Sequence, residues 1–475
     1  MIVLLALTAH AGTVELSPGD DVASKTRYLG PGDTVTFAGG VYELDETLVW
    51  EAPGTEDEPI TIQGRDDDVE VVLRRSGSGV VAILRDSAHV TVRNLSFEGA
   101  EGWEDAGQVG FRIQDSSHVA FEGNRIRQVE HTALDVDGDN SDVRIVGNRI
   151  HDTTDGSGIL VGCGDASCWL ERGVIAGNLV HDLGGQWITG IRLDHGTQDV
   201  EVRDNVLFRI GTGDGADAIF AGSTEGGEPN TIEGNALWDV VDDGIWIEGS
   251  AIVRNNIVHL TGGVGIGARG GDRDGLLNTV ISHNTVVLTG DWAVSLEDWY
   301  HRGGMVFANN LVANPTGRGV RYLDDWGDGD PTSNHLVANH VTGLVEGLDA
   351  EVFPSAVVPG AGLSDFVDPD GLDFYPVQHS AVLNSGDTSG QSWVPERDFN
   401  GTPRQGDAPD VGAYEWNGPG NPGWPLQEDF KGVEVEERDS VEVSKGCCKK
   451  KEEPSEALVV VPFGLLWALR RRRRD

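Results

Sequence analysis

The segment Arg192-Leu193-Asp194-His195 brings a guanidinium, a carboxylate and an imidazole together within four residues. An imidazole takes or gives a proton near neutral pH, an adjacent carboxylate orients it or acts alone, and a guanidinium neutralises an anion that forms during proton abstraction. This set suits removal of the C5 proton of a uronate, with Tyr300 or Glu248 as a second acid or base if the fold brings either near. Glu248 and Glu297 would instead suit glycoside hydrolysis, which needs two carboxyl groups about 5 to 10 Å apart. An Asp-His pair is also common by chance, so position must decide. No lysine occurs between Lys25 and Lys431, so any base in this stretch is Arg, His, Tyr or a carboxylate.

A second group of residues suits binding. Phe220, Trp246 and Trp299 offer flat apolar rings to sugar faces, and Arg269, Glu297, His301 and Arg321 can bond hydroxyl or uronate groups. The alternative is a solvated face carrying incidental aromatics. Asp135, Asp137, Asp139 and Asp142 lie in the tight loop DVDGDNSD, which has the acid density of a calcium loop without the terminal Glu of an EF-hand. Calcium is therefore the candidate cofactor, against an ordinary acidic turn, and Asp324, Asp325, Asp328 and Asp330 form a weaker second candidate. Cys163 and Cys168, in GCGDASC, can close a small disulfide loop, whereas two thiolates alone make a poor zinc site. His151-Asp152 and His181-Asp182 follow Asn148 and Asn178 at equal offsets, as a site or as locally bonded turn residues.

A repeat must position these groups. The pattern apolar-x-x-Asn-x-apolar recurs at Asn124, Asn148, Asn178, Asn205, Asn235, Asn256, Asn284, Asn310 and Asn339, at intervals of 21 to 30 residues. Such a period suits one solenoid coil of short strands and turns. Asn tolerates left-handed backbone in a turn, and stacked Asn side chains can bond one another as a ladder. A further strand follows each Asn strand: ALDVDG, GILVGC, GIRLDH, AIFAGS, GIWIEG, GIGARG, AVSLED and GVRYLD. Its second and fourth residues are mainly apolar and should point inward. The third and fifth, including Arg192, Asp194, Phe220, Trp246, Glu248, Arg269, Glu297 and Arg321, should then face outward on neighbouring coils about 4.8 Å apart. Residues 190–301 are the place to look for a site.

Strands such as VRIVGNRI (143–150) resemble the right-handed parallel β-helix repeats of bacterial polysaccharide-acting proteins. PGDTVTFAGGVYEL (31–44) with Pro59-Ile60-Thr61-Ile62 resembles the first coil of polysaccharide-lyase-like members, and DFNGTPRQGDAPDVGAYEW (398–416) resembles a closing module of exported bacterial β-helix proteins. The resemblance implies an all-β, right-handed parallel β-helix solenoid of about 10–12 coils, with an extended C-terminal stalk. It also implies polysaccharide as the partner, through lyase, epimerase or hydrolase chemistry or through non-catalytic adhesion and display. A lyase of this kind that uses Lys as its base is excluded by composition.

The organisation then reads as a signal peptide (1–11), the β-helix with its closing module (28–416), a Pro-, Gly- and charge-rich linker or stalk (417–445) and a C-terminal signal (446–475). That last part, with Cys447-Cys448, the apolar run ALVVVPFGLLWAL and five arginines, resembles the tripartite sorting tails of myxobacterial type, in which a Cys becomes the anchor. The expected product is a monomer, exported to the cell surface or outer membrane, touching membrane only through that anchor. The formal charge of −43 argues against a nucleic-acid partner.

Overall fold

Left-handed residues recur at up to three corners of a coil. One directly precedes the ladder asparagine: Gly123, Gly147, Gly177, Asp204, Gly234, Asn255, His283, Asn309 and Ala338 all have φ between 53° and 67°. A second falls four residues after the asparagine, at Gln128, Asp152, Asp182, Arg209, Asp239, Leu260 and Leu288, and a third precedes the next first strand, as at Asp142, Arg172, Asp199 and Asn278. Gly, Asn and Asp adopt this conformation at lowest cost, which explains their frequency before the asparagines. The residue that takes the left-handed turn is thus the one before each asparagine, and the asparagine itself is used for its amide.

The computed structural model describes residues 11–432 apart from 66–68, 101, 103–107, 165–166, 271–275, 300–303, 324–332, 361, 390–392 and 407. Tyr300, His301, the acidic residues 324–330, Cys447 and Cys448, the sorting tail and nearly all of the expected leader lie outside these residues. The strands form a solenoid of about 11 turns with almost no helix. A representative coil runs Glu201–Arg203, Asn205, Val206–Ile210 and Asp217–Ala221. The first strands stack in a 16-stranded parallel sheet, and the other two families share a 23-stranded parallel sheet bent into a second and a third face. The bend is visible in Leu311–Leu323, a single strand that spans both faces.

Inside, the alternation holds as expected. Val202, Leu207, Ile219 and Ala221 are fully buried, as are their equivalents Val253, Val258, Ile266 and Ala268. Early coils fill the interior with rings, Phe97, Phe111 and Phe121 lying 4.7 to 4.8 Å apart along the stack.

The asparagines form a continuous ladder. Asn205 Nδ2 donates to Asn235 Oδ1 at 3.0 Å and to the Ile175 carbonyl at 2.8 Å, while its Oδ1 accepts from both Asn178 N and Asn178 Nδ2 at 2.9 Å. The same pattern repeats from Asn148 to Asn310 and ends on Asn339. The carbonyl acceptors are those of the apolar residues three before each asparagine, such as Phe121, Ile145 and Val202. A second polar stack, absent from the sequence reading, links Ala52 N to Ser87 Oγ, Ser87 N to Ser116 Oγ and Ser116 N to Asn140 Oδ1 at another corner.

The C-terminal segment lies along the outside of the second face and the asparagine corner. Phe366, Phe374, Tyr375, Phe399, Tyr414 and Leu426 pack on Phe208, Trp238, Ile257, Val287 and Leu311. Within 398–416, Asp398 accepts from the amides of Asn400, Thr402 and Glu415, and buried Arg404 bonds Asn255 Oδ1 at 2.8 Å. Within residues 417–432, read from sequence as the start of a linker, Leu426 and Lys431 are buried while most of the segment is exposed. Lys431 bonds Asp204 Oδ1 and the Gly234 carbonyl at 2.8 Å, and sits 3.6 Å over the Phe399 ring.

Removing one rung of the ladder leaves several buried polar groups unpaired, each costing about 1 to 3 kcal/mol. Asn205→Ala is expected to lower the stability measured by urea unfolding by about 3 kcal/mol or more. A loss below about 1 kcal/mol would show the ladder to be dispensable.

Candidate functional site

Of the three outer faces, the third carries aromatic and charged side chains that the C-terminal segment leaves uncovered. The first face presents mainly paired surface charges, such as Arg254 with Glu233 at 2.9 Å. The second face carries a ring column, His151, His181, Phe208 and Trp238, stacked 4.8 to 5.0 Å apart. His151 and His181 each bond the following aspartate, at 2.8 and 2.6 Å, because Asp152 and Asp182 occupy the left-handed corner position that turns the carboxylate back. Arg209 holds Asp182 through two bonds of 2.6 and 2.9 Å, which brings its pKa down to about 2. These His-Asp pairs are bonded corner residues.

On the third face, register places Arg192, Phe220, Trp246, Gly267, Ser295 and Arg321 in one column along the solenoid. The Arg192 guanidinium lies 4.1 Å over the Phe220 ring, and its Nε donates to Asp194 Oδ1 at 2.6 Å. Phe220 is consequently only 6% exposed and Asp194 3% exposed. Phe220 thus supports Arg192 and does not offer a free ring to a sugar. Trp246 Nε1 donates to Glu248 Oε1 at 3.0 Å, and Glu248 Oε2 lies 4.0 Å from His195 Nε2. The indole lies across Gly267, where a Cβ would come within 2.3 Å of it, so only glycine lets the ring lie there. Farther along, Glu297 stands between Arg321, which it bonds, and Arg269, 3.6 Å away.

Arg192, Asp194, His195, Phe220, Trp246 and Glu248 therefore meet on three adjoining coils, and Arg269, Glu297 and Arg321 continue the same face. Trp299 does not join them. It is fully buried in the interior core, its ring 6.5 Å from Tyr322, because the chain turns inward after Glu297. The carboxylates of the acidic loop do not converge either. Asp135 is held by Arg112 at 2.7 Å, and burial raises its pKa against that partner. Asp142 is held by Arg172 through bonds of 2.9 and 3.0 Å, and the Asp139 amide bonds Asp115 at 3.0 Å. Among the described residues, the one group of three His, Cys, Asp or Glu ligand atoms within 4.8 Å of each other is Asp137 with Cys163 and Cys168. Those cysteines are joined in a disulfide, their Cα atoms 5.3 Å apart, so they offer no thiolates to a metal. Their loop borders the site: a Cβ on Gly196 would lie 2.3 Å from the Cys168 carbonyl, directly after His195.

The family model described as "Right handed beta helix region" matches residues 69–207. The chain is a right-handed parallel β-helix. Among solved structures it is similar to the A-module of mannuronan C-5 epimerase AlgE6 from Azotobacter vinelandii, with 15% identity, coverage of 69% of this chain and 91% of that one, and a TM-score of 0.55. The AlgE4 A-module from the same organism gives 16% identity, coverage of 67% and 87%, and a TM-score of 0.50. An alginate lyase from Paenibacillus sp. str. FPU-7 gives 17%, 70%, 97% and 0.43 in the same order. No curated protein matches in sequence.

The β-helix also places two carboxylates that the sequence reading missed. Asp217 begins the third strand that carries Phe220, and Asp243 stands two residues before the one that carries Trp246; the Asp243 amide donates to Asp217 Oδ1 at 3.3 Å, and the Val264 amide donates to Asp243 Oδ1 at 2.6 Å. Burial, reinforced by the Asp243 charge, pushes Asp217 up to about 7. Burial likewise pushes Asp243 up to about 6, against the bond from Val264 and with help from Asp242. Strict alternation counted back from Ile219 and Ile245 would have pointed both inward, but the corner turns them out. The available signal was an acid immediately ahead of two successive strand blocks, GADAIF and DDGIW.

Chemically, the 4.0 Å gap between His195 and Glu248 admits one hydroxyl or water bonded to both, which is the geometry of a proton relay. Asp217 and Asp243 add carboxyls that change charge near neutrality.

The raised pKa of Asp217 sets a pH dependence. The folded state favours its protonated form, so its contribution is intact at low pH and is lost as pH rises through about 7. Asp217→Asn is expected to stabilise the fold above pH 7 by about 1 to 2 kcal/mol and to have little effect near pH 4, as measured by thermal unfolding across pH. Equal effects at both pH values would contradict this.

Proposed function

We propose that this chain is an exported, surface-anchored β-helix that binds polysaccharide along its third face and modifies it there, by lyase, epimerase or hydrolase chemistry. The observation that carries the reading is the meeting of Arg192, Asp194, His195, Trp246 and Glu248 on the face that the C-terminal segment leaves open. Trp246 gives an amphipathic platform for a sugar ring, while Arg269, Glu297 and Arg321 extend the contact along the chain of sugars. His195 and Glu248 serve as the acid and base. Similarity in fold to modules named as mannuronan C-5 epimerases supports polysaccharide as the substrate class, and the Cys163–Cys168 disulfide supports an oxidising, extracellular setting.

One observation favours a second reading, non-catalytic adhesion or display. Asp194 and Glu297 are locked to arginines, and the described face has no lysine base. Both readings predict that Trp246→Ala weakens glycan binding at least tenfold. They part on chemistry. The enzymatic reading expects the purified protein to release unsaturated or reducing-end products, or to exchange C5 protons, from a polysaccharide panel. It also expects His195→Ala and Glu248→Gln to lower that turnover at least a hundredfold while binding is kept. Binding without any product from the unaltered protein would establish the adhesive reading, and product formation unchanged in both variants would remove His195 and Glu248 from the mechanism.

A further inference from the structure

The charge arrangement of the third face selects among glycans. On the stretch of this face from Arg192 to Arg321 lie four described arginines, and each already faces a carboxylate: Arg192 with Asp194 at 2.6 Å, Arg269 with Glu297 at 3.6 Å, Arg321 with the same Glu297, and Arg318 with Asp291. Arg192 is further committed to the Phe220 ring. Around them stand Asp217, Asp242, Asp243 and Glu248, none of which is ion-paired to an arginine in this set. Among the described residues of this stretch, seven carboxylates thus face four guanidinium groups. Asp242 accepts from the Gly215 amide at 2.7 Å, so it is held at the same corner as Asp217 and Asp243.

Lysine does not offset the imbalance, since none occurs between Lys25 and Lys431, and Lys431 is buried against Asp204 on the far side of the second strand family. A guanidinium that already holds a carboxylate presents no net positive charge to an incoming anion, and displacing its partner leaves that partner uncompensated. A polyuronate brings one carboxylate per sugar and meets the acidic corner on the coils that carry Asp217, Asp242, Asp243 and Asp291. Burial raises Asp217 to about 7, with the Asp243 charge adding to it, and Asp243 to about 6, with the Asp242 charge adding to it, so both stand as anions beside an incoming uronate only above those pH values. The hydrogen-bonding edge of Glu248, the indole of Trp246 and the paired Arg-Glu groups remain well suited to hydroxyls.

We infer that the glycan taken by this face carries no acidic groups, being built of neutral or amino-bearing sugars rather than uronates. This rests on the proposed glycan-binding role of the third face and narrows it: without a uronate carboxylate to acidify C5, lyase and epimerase chemistry drop out, and hydrolysis or binding alone remains. The A-module named as a mannuronan C-5 epimerase is similar in fold, so the third face and not the architecture sets this chain apart from it.

The test is binding of the full chain to three soluble polymers in parallel, a neutral β-glucan, chitosan and polygalacturonate, by affinity electrophoresis at about 0.15 M salt. The expected result is that the β-glucan or chitosan binds at least tenfold more tightly than polygalacturonate, that Trp246→Ala abolishes this binding, and that Asp217→Asn/Asp243→Asn gains affinity for polygalacturonate. Equal or tighter binding of polygalacturonate, lost in Trp246→Ala, overturns the inference while leaving the third face as a glycan site. Retention of none of the three polymers, or binding indifferent to Trp246→Ala, overturns the glycan role itself and the inference with it.

Discussion

Everything on the surface of this protein depends on the spacing of its coils, and a stack of buried amides sets that spacing at one corner. From Asn178 to Asn310 each ladder asparagine uses both of its N–H groups and accepts twice on its oxygen, chiefly from and to coils above and below. An amide buried in this way is costly to leave unpaired, so a slip of register between coils is strongly penalised. Because one corner is pinned, coils of 21 to 30 residues can differ in loop length without losing the column relationship on the other faces. The column that joins Arg192 to Phe220 and Trp246 across coils of different length is a product of that constraint.

The faces then differ by what covers them. Ring stacking on the second face builds an apolar strip that the C-terminal segment seals, with Arg404 and the carboxylates of Asp398, Asp410 and Glu415 tying that segment to itself and to the asparagine corner. The third face has no such cover among the described residues; its arginines are instead paired within the face, and carboxylates remain in excess. That balance leaves a hydroxyl-competent surface with little attraction for anions. The groups left to carry chemistry are His195, Glu248, Asp217 and Asp243, all within the span of three coils.

Much of this was legible in the sequence, for definite reasons. The asparagine columns and the inward residues two and four of the third strand were readable because alternation and stacking act on every coil alike. The strand register also placed Arg192, Trp246 and Glu248 correctly on one face. What escaped was decided between coils or at corners. Trp299 sits two residues beyond Glu297, where the chain leaves the strand and turns into the core, so an outward reading extended past its domain. The partners that divide the Asp135–Asp142 loop, Arg112 and Arg172, come from adjacent coils and leave no trace in local spacing. Phe220 was rightly placed but wrongly valued, since the guanidinium covering it belongs to the coil before. Residues 417–432 look like linker by composition, yet Leu426 and Lys431 find specific sites on the solenoid.

The central claim is that a glycan lies on the third face across the coils of Arg192, Phe220 and Trp246. Hydroxyl-radical footprinting of the full chain, with and without the tightest-binding glycan of a panel, reads this directly. The account predicts that oxidation of Trp246 and His195 falls on glycan addition while that of Tyr28, which is 83% exposed on the first coil, does not change. Protection confined to residues of the first face or the amino-terminal coil, with Trp246 oxidised as before, would contradict it.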